Sequence, residues 1–167
     1  VDYFGRWKAL HYYAKRFFAP IMISCEEEGT LTQLPNINAQ DTDLVKSAKI
    51  SVANETMEDF QGLVKWQLRR NDSSIIQSGE KSVKVDQLSS LWLDKMEFDN
   101  ANIFTDYLSY QLYQDNKIVS KGSVIFNVPK HFEFMDPQLA YEINGDTIAI
   151  TSKAYAKSVE IYSNTSD

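Results

Sequence analysis

The chain has 167 residues, 43% hydrophobic and 24% charged, with a formal net charge of -6 and a pI near 4.9. That composition is globular and long enough for one good core. It has no stripe of Lys or Arg, which argues against nucleic acid as a partner, and its apolar runs fall far short of the roughly 20 residues that span a bilayer, which argues against a membrane partner.

The opening VDYFGRWKALHYYAKRFFAPIMIS is crowded with Tyr3, Phe4, Trp7, Tyr12, Tyr13, Phe17 and Phe18. Spacing predicts a helix over 3–18. At about 100° per residue, Tyr3, Phe4, Trp7, Leu10, Ala14, Phe17 and Phe18 share one arc of roughly 140°. Arg6, Lys8, Lys15 and Arg16 lie outside it. Asp2 is placed to cap the first turn, and Pro20 ends the helix. A stripe this apolar needs a cover.

After Pro20 the period changes to two. Strands are predicted over 21–26, 47–54, 63–70, 75–85 (as one or two), 91–98, 107–113 and 118–128, with a turn at 70–73 and a hairpin turn at 114–117. A loop rich in Asn and Asp surrounds Pro35. Val64, Trp66 and Leu68 alternate with Lys65, Gln67 and Arg69, which predicts the first three in the core, with Trp66 its central aromatic. About seven strands with no helical pattern between them predict a mainly β fold: an antiparallel β-sandwich of immunoglobulin type. The inter-sheet cysteine pair of antibody domains is absent, because Cys25 is the only cysteine.

Residues 130–137 read as a linker. A second hairpin follows, 138–143 and 147–151 around Asn144-Gly145-Asp146, and a third strand is predicted over 159–162. Three strands cannot close a sandwich of their own. The predicted organisation is thus a helix over 1–19, a sandwich over 20–129, and a linker with the first strands of a partial second β-domain over 130–167. Both ends read as cut.

The stretch Asp2-Tyr3-Phe4-Gly5-Arg6-Trp7-Lys8-Ala9-Leu10-His11-Tyr12-Tyr13-Ala14-Lys15-Arg16-Phe17-Phe18-Ala19-Pro20 resembles the end of the catalytic barrel in glycoside hydrolase family 2, in its β-mannosidase branch. The resemblance implies that this helix is the last of a (β/α)₈ barrel and that immunoglobulin-like sandwiches follow. It further implies that Phe4, Trp7, Leu10, Ala14, Phe17 and Phe18 once packed on barrel strands. Such enzymes hydrolyse β-linked sugars with retention, using two glutamates about 5 Å apart. In the family both precede this helix, so no catalytic residue is expected here. The expected role is a structural, non-catalytic piece of a β-mannosidase-like enzyme of carbohydrate metabolism. Its implied partners are the parent's barrel and terminal domain. A carbohydrate-binding module, or a β-galactosidase or β-glucuronidase parent, are the alternatives.

The remaining motifs yield little chemistry. Asn54-Glu55 looks like an acid/base pair of the family but follows a sandwich strand and lacks a second glutamate. Glu26-Glu27-Glu28 points to alternate faces and reads as a solvated strand end. Cys25 reads as a small buried thiol. No Cys/His spacing suggests zinc, and no metal or other cofactor is expected. His11 lies at the edge of the aromatic stripe and reads as a core or interface residue. Trp92 and Tyr107 are candidate sugar contacts if their rings are exposed; Tyr110 and Tyr113 invite the same question. Asn54, Asn71 and Asn164 begin Asn-x-Ser/Thr triplets. The compartment is not legible, with cytoplasmic slightly favoured. The uncovered stripe and the open edge of the last strands together predict self-association.

Overall fold

In the computed structural model, which describes residues 7–34 and 44–161, two antiparallel sheets face each other across one core. Helix α1 (Ala9–Phe17) leads into β1 (Ile21–Glu28), a single helical turn α2 (Thr30–Gln33), β2 (Ser47–Asn54), β3 (Phe60–Arg70) and β4 (Ile75–Val85). Short strands β5 (Ser89–Trp92) and β6 (Met96–Glu97), then β7 (Asp106–Gln114) and β8 (Lys117–Ile125), complete the sandwich. A 3-10 turn (Pro129–His131) leads to the hairpin β9 (Ala140–Asn144) and β10 (Thr147–Thr151). One sheet runs β1-β2-β5, with β6 also on β2; the other runs β4-β3-β7-β8. The chain is mainly β and its sandwich is immunoglobulin-like, as the alternation predicted.

Period-two alternation explains the core. Ala48, Ile50 and Val52 of β2 join Val64 and Leu68 of β3 and Leu108 and Leu112 of β7 in one core, all buried, with the rings of Phe98 and Phe126 5.8 Å apart in the same cluster. Each large aliphatic so buried contributes about 1.5–3 kcal/mol. Trp66 departs from the expectation of a fully buried central ring: it is only partly buried, packed edge-on against Phe98 at 5.8 Å. The reason lies in the row that it occupies. Gly79, Trp66, Tyr110 and Gly122 stand in register across all four strands. A Cβ on Gly79 would lie 2.5 Å from Trp66 Cζ2, and one on Gly122 2.5 Å from Tyr110 Oη. Each large ring therefore lies sideways over its neighbouring glycine, and Trp66 reaches toward the β4 edge.

Asn54 ends β2 with its side chain fully buried. Its Nδ2 donates to the carbonyls of Glu58, Val85 and Asp86, and its Oδ1 accepts from Thr56. This network ties the loop after β2 to the end of β4.

Several boundaries differ from the sequence reading. The helix predicted over 3–18 is observed as Ala9–Phe17, with Lys8 as an N-cap that makes no side-chain bond; Asp2, Tyr3 and Phe4 lie outside the described residues. The single strand predicted over 91–98 is two short ones, because Leu93 leaves the strand while its N–H still reaches Ile50 O. The strand predicted from 159 is not formed over 159–161, which pairs with no strand among the described residues, and Tyr162 lies outside them. The stretch read as a linker is docked: Glu133 N donates to Phe104 O at 2.7 Å, and Phe132 is buried.

Candidate functional site

Trp92 lies on the outer face of the β1-β2-β5 sheet. Its register partner is Ser51, whose own partner is Ser24; Ser90 pairs with Ala53. Leu91 and Leu93 turn the other way, Leu93 into the core. Small neighbours leave Trp92 47% exposed on a flat shelf. Lys49 Nζ stands over the ring, 5.0 Å from its centroid. Such a contact is worth about 0.5–1 kcal/mol at an exposed site, and it occupies a face that a sugar would need. Among the described residues no second aromatic ring touches Trp92, so the shelf offers one ring.

Tyr107 is a different case. Alternation puts it on the outer face of the other sheet, yet it is only 5% exposed. Tyr155 stacks on it at 3.8 Å and 16°. Its ring has no face to offer, and the expectation of a sugar contact there is corrected. Tyr110 lies in the core. Tyr113 is half-buried, donating to Gln111 Oε1 at 2.7 Å with Lys65 Nζ 5.5 Å from its centroid. It walls a cavity of about 270 Å³ at the mouth of the β7-β8 hairpin, with Gln61, Lys65 and Asp115 among its lining residues.

The candidate chemical residues are not brought together. Cys25 packs against the core, where burial pushes its thiol up to about 12. Its Sγ donates to Glu26 O at 3.7 Å. Glu28 accepts from Lys95 at 2.5 Å and from Ser47 at 2.7 Å, which lowers its pKa. Glu55 borders an open hollow of about 540 Å³ with Asn54, Leu88 and Ser89, and no second carboxylate lines it. His11 is exposed, its ring 5.7 Å from Trp7. Among the described residues no three His, Cys, Asp or Glu cluster so as to hold a metal.

Of the predicted stripe, Leu10, Ala14 and Phe17 lie on α1, with Trp7 before it and Phe18 at its end. Trp7, Leu10, Phe17 and Phe18 are exposed, Phe18 at 83%, and Ala14 is half-buried; Phe4 lies outside the described residues. Among the described residues, α1 reaches the far end of the chain through Tyr13 Oη and Ser158 Oγ at 2.9 Å.

A family model described as the mannosidase Ig/CBM-like domain matches residues 46–131, from the start of β2 to the 3-10 turn. The chain belongs to the mannosidase Ig/CBM-like domain family. The model of this family spans β2 to β8 and stops short of α1 and of β9-β10. Among solved structures, a β-D-mannosidase from Dictyoglomus thermophilum matches with a TM-score of 0.73 and 18% identity, over 92% of this chain and 18% of that one. At that identity the likeness shows a shared fold. A β-glucuronidase of glycoside hydrolase family 2 matches with a TM-score of 0.48 and 11% identity, over 80% of this chain and 14% of the other. A β-glucuronidase from Bacteroides uniformis gives 0.42 and 10%, over 81% and 16%. The chain thus spans less than a fifth of the length of each of these structures. No curated protein matches the sequence.

Proposed function

We propose that the chain is a non-catalytic, structural part of a retaining β-glycosidase of family 2, with a β-mannoside-cleaving parent preferred over a β-galactosidase or β-glucuronidase. In this reading residues 1–19 are the last barrel helix, 20–129 a complete accessory sandwich, and 130–167 the linker and first strands of a further sandwich. The observation that carries it is the conjunction of the motif at residues 2–20 with a mannosidase Ig/CBM-like domain directly after it. Trp7, Leu10, Ala14, Phe17 and Phe18 then form a face made for barrel strands, and without those strands the same face drives self-association.

The test has two arms. The coding sequence immediately before Val1 is expected to encode a barrel with two strand-end glutamates. The purified chain is expected to hydrolyse nitrophenyl β-mannoside, β-galactoside and β-glucuronide no faster than a heat-killed control. Turnover by the chain would overturn the reading.

The outward ring of Trp92 favours a second reading, a carbohydrate-binding module. Titration with mannobiose and longer β-manno-oligosaccharides, followed by tryptophan fluorescence, separates the two. The structural reading expects no saturable change. Micromolar binding lost in Trp92→Ala would replace it with the module.

A further inference from the structure

The segment after β8 reads in sequence as a linker, yet both of its legs come to one residue. On the first leg, Asn71 Nδ2 donates to Glu133 O at 2.7 Å. On the second, Tyr155 N donates to Asn71 O at 2.8 Å. Between these points lies the β9-β10 hairpin, its stem prolonged by Lys153 N to Pro137 O at 2.8 Å. Tyr155 then closes the second leg on the outer face of the β3-β7-β8 layer. Its ring stacks on Tyr107, meets Phe132 edge-on at 5.8 Å, and its hydroxyl lies 2.9 Å from Ser123 Oγ. Together with Ile125 these rings make a second apolar cluster, separate from the sandwich core, and Ala154 beside it is buried.

We propose that residues 132–155 form a strap latched by Tyr155 and stapled by Asn71, which opens without unfolding the sandwich. Closed, the strap fixes the direction of the exposed β9-β10 hairpin. It also holds α1, because Ser158, the partner of Tyr13, lies three residues beyond the latch. One local closure thereby sets the position of both flanking elements against the sandwich. The contacts on the page carry this inference whether or not the glycosidase reading holds.

Three features fit a separable latch. The Tyr155 cluster shares no residue with the main core. The two legs are held by a handful of hydrogen bonds and ring contacts, the kind of unit that opens at a fraction of the global free energy. The apolar residues of the hairpin add nothing to its closure, since every residue of β9 and β10 is exposed.

Limited proteolysis of the full chain reads the latch directly. Trypsin can cut after Lys153 only if Ala154 and Tyr155 leave the sheet, and Glu-C protease can cut after Glu133 only if the first leg is released. Tyr155→Ala is expected to speed cleavage after Lys153 by about tenfold or more, with opening fast compared with cutting, while the main thermal transition stays near wild type. Tyr155→Phe, which keeps the stack and loses the bond to Ser123, is expected to stay close to wild type. Asn71→Asp keeps the carbonyl and loses the Nδ2 donor, so it reads the staple independently and on the surface; cleavage after Glu133 is expected to rise severalfold. Unchanged cleavage after Lys153 in a folded Tyr155→Ala chain overturns the latch. So does strap opening that occurs only together with melting of the whole sandwich, in either variant.

Discussion

The sandwich and its two flanking elements use the same kind of residue to opposite effect. Within β2, β3 and β7, alternate apolar side chains meet a facing sheet and are sealed from water. In α1 and the β9-β10 hairpin the pattern is as clear, yet Leu10, Phe17, Phe18, Tyr141 and Ile143 are all exposed. A hydrophobic stripe therefore announces that a surface is to be covered, and only the second layer tells what covers it. Burial stabilises the first region, while the second leaves its apolar side chains in water.

Several changes would break or sharpen that contrast. The largest effect is expected at Leu108, fully buried between the sheets. Leu108→Ala should cost about 2–5 kcal/mol in chemical denaturation, and a loss under 1 kcal/mol would mean that the core lies elsewhere. Next comes overpacking of the ring row. Gly122→Ala and Gly79→Ala each drive a methyl into Tyr110 or Trp66, at an expected cost of about 1–3 kcal/mol.

A smaller effect is expected from pH. Glu28 is held below its ordinary 4.5 by hydrogen bonds from Lys95 and Ser47. Its contribution is therefore present above pH 4.5 and fades as pH falls through the lowered folded value. The Tm gap between wild type and Glu28→Gln should be small at neutral pH and vanish in strong acid. A gap that widened in acid would contradict the sign. The smallest change in stability is expected from Trp7→Glu/Leu10→Lys, just before and within α1, within about 0.5 kcal/mol. The same pair should weaken self-association in sedimentation velocity over a concentration series.

How much was legible follows the same division. Strand β2 was read at its observed bounds, because Ala48, Ile50 and Val52 alternate and that face lines the core. The four-residue turn α2 escaped notice, since one turn carries no period. Tyr107 was offered as a sugar contact only on the condition of an exposed ring, and the structure buries it. Its cover, Tyr155, lies far along the chain. Nothing near Tyr107 could signal that. For Trp92 the sequence offered a sugar contact on the same condition of an exposed ring, and the small neighbours and the lysine that set its surroundings come from other strands. The contrast with Asn54 is instructive. Its triplet suggests a modification site, while its side chain is sealed in the sandwich and spends its amide on three carbonyls.

Amide hydrogen exchange across the intact chain tests the central division most directly. The account predicts that β2, β3 and β7 exchange only through global opening, while α1 and β9-β10 exchange by local opening, orders of magnitude faster. Protection in α1 or the hairpin equal to that of β3 and β7 would contradict it. Those elements would then belong to the stable unit, and their apolar faces could not be surfaces awaiting a partner.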